Sequence, residues 1–123
     1  MAAVVKTIAA ISLVYDLTAG VALLLLPRVL PAVFGVAIPA PRIFLELNAL
    51  FLIAIGAGYW LPYRDPARYR AYLWIFGVSL KTAGAAAFVV ELAWRDGPAA
   101  MALFAAGDAS IAALTLAALL ASR

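Results

Sequence analysis

Hydrophobic residues run along this chain in four long blocks, broken by short stretches that carry proline, glycine or charge. The blocks cover about 7–26, 43–61, 71–94 and 99–121. The interruptions are Pro27, the Pro39–Pro41–Arg42 cluster, the run "LPYRDPARYR" and the run "RDGP", all helix breakers or water-seeking charge. A helix needs about 20 mostly apolar residues to cross ~30 Å of hydrocarbon, and each block meets that length. Open sheet edges find no partners in lipid, so helices are the expected form. The pattern predicts an all-α integral membrane four-helix bundle in one domain, 1–123.

Segment 28–41, "RVLPAVFGVAIPAP", is too apolar for a solvated loop and too short to cross. It predicts a short interfacial helix between the first two spans, closing the outer end of the bundle or gating it. Asp16 interrupts the first block where a cleavable signal would be continuous, so that block is expected to be retained as a helix.

Composition narrows the reading. Of the 123 residues, 68% are hydrophobic and 12% charged, with a mean hydropathy of +1.10, too little polar surface to cover a soluble globule. A lipid bilayer is the expected surrounding. Cysteine and histidine are both absent, which removes disulfide chemistry and the usual haem and zinc ligands. No cofactor or metal is expected. The net charge of +3 is scattered, so no nucleic-acid partner is expected despite a pI of 9.6.

Charge also orients the spans. Lys6, Arg64, Arg68, Arg70 and Arg123 share one side, against Arg28, Arg42 and Arg95 on the other. That excess predicts both termini in the cytoplasm of a multi-pass membrane protein. Arg64, Arg68 and Arg70 are expected to meet anionic lipid headgroups. Tyr59, Trp60, Tyr63, Tyr69, Tyr72 and Trp74 crowd the same end, where an aromatic belt or a stacking surface for a flat ligand such as a quinone is expected.

Three charges fall inside the spans. At ~1.5 Å per residue, Asp16, Lys81 and Asp108 each lie about 13–15 Å from a membrane face, near the midplane. A lone ion at that depth costs roughly 2.5–3.5 kcal/mol. Turning all three inward places an ammonium between two carboxylates; neutralisation is the other escape. Ser12, Asp16 and Gly20 share a face, as do Gly77, Lys81 and Gly84, then Asn48, Leu52 and Gly56, and finally Asp108, Ala112 and Thr115. Small residues beside polar ones mark membrane helix contacts. Two readings of the Asp16–Lys81–Asp108 cluster stand together: a salt bridge that fixes helix register, and a polar site for protons or a small ligand. Glu46, Asn48 and Glu91 form a secondary polar set, with Glu46 and Glu91 expected to pair with Arg42 and Arg95. A Ser–Lys dyad of Lys81 with Ser12 or Ser110 is conceivable by spacing, but no oxyanion-hole motif accompanies it, and no enzymatic activity is expected.

The runs "LLLLPRVLPAVFG", "FLELNALFLIAIGAGYWL" and "RDPARYRAYLWIFGVSLK" resemble the DoxX-like group of small four-helix bacterial inner-membrane proteins over residues 10–90. The resemblance implies a four-helix bundle whose relatives are in part linked to respiratory or oxidative-stress membrane complexes. Lys81 and Asp108 depart from that pattern. On this reading the protein is an accessory or scaffold component of a membrane complex. The chain is also similar to the small multidrug transporters, short proteins with one acidic residue in the first span. That likeness implies a proton-coupled carrier, working as a homo-oligomer, in which Asp16 cycles its proton.

Overall fold

The computed structural model describes residues 1–123 and is entirely helical and irregular, without strands. Four helices are long and apolar enough to cross a membrane, the profile of a multi-pass membrane protein: α1 Ala2–Leu25, α2 Ile43–Arg64, α3 Arg70–Trp94 and α4 Ala100–Ala121. Together they form an all-α four-helix bundle. Helix α1 begins five residues before its apolar block, so Lys6 lies within it. Helix α2 is interrupted by a single turn residue, Tyr59, and resumes over Trp60–Arg64. Pro62 is tolerated because it lies in the first turn of the resumed stretch, where a backbone N–H has little helical bonding to lose.

The helices pack as two pairs, α1 along α2 and α3 along α4, joined by a lighter α1–α4 seam. The α1–α2 seam is tight. A Cβ added at Gly56 would stand 2.9 Å from the Leu17 backbone nitrogen, and one at Gly20 2.8 Å from the Ala49 carbonyl oxygen. Lipid supplies no hydrophobic drive between helices, so close backbone approach and the dispersion it brings hold such a seam.

Three layers stack along the bundle axis. At the end carrying both termini, Val5, Ala9, Tyr59, Leu73, Ala118 and Leu119 form an apolar core drawn from all four helices. The middle layer is ionic. At the opposite end Phe34 packs edge-on against Phe104 at 5.0 Å, and Phe88 lies 5.4 Å from Phe104.

Segment 28–41 differs from the expected helix. It holds only one π-helical turn, Leu30–Phe34, closed by Gly35 at φ 66, and residues 36–40 run without regular structure. Proline explains the brevity: Pro31, Pro39 and Pro41 cannot donate backbone hydrogen bonds. The turn still lies against the bundle end, through buried Leu30 and through Phe34.

Candidate functional site

Residues Leu73–Leu80 of α3 are wound as a π-helix that ends directly at Lys81. Ser79 donates its hydroxyl to the Trp74 carbonyl five residues back, at 2.9 Å. The wider turn keeps Leu73, Gly77 and Lys81, spaced by four, on one buried line. Such insertions recur at functional sites and re-aim the residues that follow them. On α1 the buried line is Val5, Ala9, Ser12, Asp16 and Gly20.

These two lines meet at the middle of the bundle. Lys81 Nζ donates to Asp16 Oδ1, and Asp108 Oδ1 stands 3.8 Å from the same ammonium. The side chains of Lys81 and Asp16 are 6% and 1% exposed, that of Asp108 17%. Asp16 is therefore the primary partner and Asp108 a looser second carboxylate. Gly84, one turn beyond Lys81, makes the room: a Cβ there would sit 2.8 Å from Asp108 Oδ2. Below the ammonium lies the Tyr15 ring, 5.0 Å from Nζ, a cation–π contact. The Tyr15 hydroxyl reaches across the α1–α4 seam to Gly107, so its ring walls the cluster from the outer groove of Thr7, Ala10, Ile11 and Val14.

Tyr59 corrects the expected belt. It is fully buried, stacked edge-on with Tyr72 at 5.2 Å, and lies on the Leu45–Ala49–Gly56 line of α2. Tyr72 in turn donates its hydroxyl to the Ile55 carbonyl, tying α3 to α2. Only Trp60 and Tyr63 of the six aromatics are exposed.

Other expected positions fall elsewhere. Glu91 pairs with Arg95 at 3.4 Å, an exposed i,i+4 contact. Glu46 makes no ion pair with Arg42. Asn48 points outward, since the buried line of α2 runs through Ala49, one residue or about 100° away. Arg70 does more than face headgroups: its guanidinium donates to Ser122 Oγ at 2.8 Å and to the Leu119 carbonyl, closing the end of α4. Arg64 and Arg68 lie over the rings of Trp60 and Tyr69, at 5.7 and 5.5 Å. Neither serine of the conceivable dyad bonds to Lys81: Ser110 donates to the Ala106 carbonyl, and Ser12 Oγ has no partner.

Tyr15 and Tyr59 are the site residues that spacing left out. Tyr59 was findable, three residues after Gly56 on its own face; Tyr15 lies outside the buried line of α1 and carries no such signal.

No protein-family model, curated protein or solved structure matches the chain.

Proposed function

We propose that the chain is a small inner-membrane protein of DoxX-like type, with both termini in the cytoplasm, that serves as an accessory or scaffold component of a membrane complex. The observation that carries this reading is the closed ionic centre. Lys81 bonds to Asp16 and stands beside Asp108, so the interior charges are directed at one another and tie helix to helix. The outward Asn48 supports a protein neighbour. An amide facing lipid between exposed Phe44 and Phe51 gains ~1 kcal/mol from a hydrogen bond to another helix.

The chain has no cysteine, so Asn48→Cys provides one attachment point for a photo-crosslinker in native membranes. A discrete adduct at position 48, absent from a matching Leu103→Cys on exposed α4, is expected. Equal, diffuse labelling at both positions contradicts the reading.

One observation favours a carrier as the second reading. Asp108 is the more exposed and less tightly held carboxylate, so in a carrier it, rather than Asp16, is the group free to cycle a proton. Asp108→Asn then abolishes pH-driven flux in proteoliposomes while the fold survives. Flux that persists removes Asp108 from any such mechanism.

A further inference from the structure

Beside the Lys81 ion pair stand three polar atoms that the protein itself leaves unanswered. Ser12 Oγ, Asp16 Oδ2 and Tyr59 Oη are buried without a hydrogen-bond partner in the chain. Their residues are 0%, 1% and 0% exposed. Each orphan of this kind costs about 1–3 kcal/mol, and native proteins tolerate few. These three are grouped. Ser12 precedes Asp16 by one turn on the same line of α1, and Tyr59 follows by one turn Gly56, where an added Cβ would stand 3.1 Å from Asp16 Cβ.

We propose that Ser12, Asp16 and Tyr59 form a binding site for an ordered internal water. The chemistry of the three atoms selects it. A carboxylate oxygen only accepts, so the ligand must donate to Asp16 Oδ2; the two hydroxyls can each donate or accept. A water donates to Asp16 Oδ2 and Ser12 Oγ and accepts from the Tyr59 hydroxyl, within the two to four partners that buried waters take. A second cation is disfavoured, because the Lys81 ammonium already holds the other oxygen of the same carboxylate. An apolar ligand would leave all three atoms unpaired.

The surroundings seal the site. Toward the termini stands the apolar layer of Val5, Ala9, Leu73 and Leu119, and toward the lipid the Tyr15 ring. The water therefore exchanges slowly and fixes the carboxylate from its far side, so that Asp16 meets Lys81 in one orientation. The site stands whether the protein is a scaffold or a carrier.

Radiolytic footprinting of the intact protein in detergent tests it, because X-rays generate hydroxyl radicals from bound water in place. Normalised for intrinsic reactivity, Tyr59 is expected to be labelled above equally buried Leu73 and Leu119. Ser12→Ala is expected to reduce that labelling. Tyr59 at the level of the two leucines, or labelling indifferent to Ser12→Ala, overturns the proposal. Tyr59→Phe gives an independent readout: a hydroxyl that holds water stabilises the fold, so Tm falls. An unchanged or raised Tm, expected of a true orphan, contradicts the site.

Discussion

Lys81 donates to Asp16 across 65 positions of sequence, from the middle of α3 to the middle of α1, and both side chains are all but closed to their surroundings. The pair bridges two helix hairpins that otherwise meet along the lighter α1–α4 seam and in the apolar layer at one end. Removing one member of such a pair leaves a buried charge without a partner, and the loss exceeds the worth of the pair itself.

The glycines beside this pair are not equivalent. An alanine gains ~1 kcal/mol of helix propensity over glycine wherever space permits. At Gly84 the new Cβ meets only the tip of the Asp108 side chain, which can swing away. At Gly56 it meets the Leu17 backbone nitrogen and Asp16 Cβ at 2.9 and 3.1 Å, and the helices must part. Gly84→Ala is expected to be neutral within ~1 kcal/mol, and Gly56→Ala to destabilise by about 1–3 kcal/mol. Unfolding titrations in mixed micelles measure both; equal effects contradict the account.

Arg70 separates a structural from a lipid role among the three arginines of its end. Arg70→Ala frees the Leu119 carbonyl and Ser122, and is expected to cost ~1–2 kcal/mol and to speed amide exchange over residues 119–123. Arg64→Ala and Arg68→Ala each lose an exposed cation–π contact of about 0.5–1 kcal/mol and leave that exchange unchanged. Hydrogen exchange by mass spectrometry reads all three.

Tyr15 supports the ammonium through its ring. Tyr15→Phe keeps the face under Lys81 and is expected to be nearly silent, whereas Tyr15→Leu loses ~1–2 kcal/mol. A Phe variant as unstable as the Leu variant would shift the role to the hydroxyl beside Gly107.

Spans and depth were legible in the sequence because both depend on counts along the chain. Apolar runs between breakers place the four helices within a few residues, and a fixed rise per residue sets Asp16, Lys81 and Asp108 at one height. Rotation was less legible. A spacing of four drifts about 40° per step, so Gly56 stands about 80° from Asn48 and only about 20° from Ala49; the Asn48–Leu52–Gly56 spacing expects Asn48 inward, and it lies outward. The same uncertainty hid which carboxylate meets Lys81. The π-helical stretch is invisible for another reason: an i→i+5 turn leaves no breaker, and "LWIFGVSL" reads as ordinary α-helix. Tyr59 shows the limit of composition, since an interfacial residue type occupies a core position when its neighbours on the face are buried.

The most direct test is the stability cycle of Lys81→Met, Asp16→Asn and the double variant, measured by denaturant unfolding in detergent. Lys81→Met alone is expected to cost about 3–5 kcal/mol, with the double variant recovering most of that loss. Pairing Lys81→Met with Asp108→Asn should recover less, because Asp108 stands 3.8 Å away and is partly exposed. Wild-type stability in Lys81→Met, or a double variant no better than the single one, would contradict the claim that this ion pair holds the bundle together.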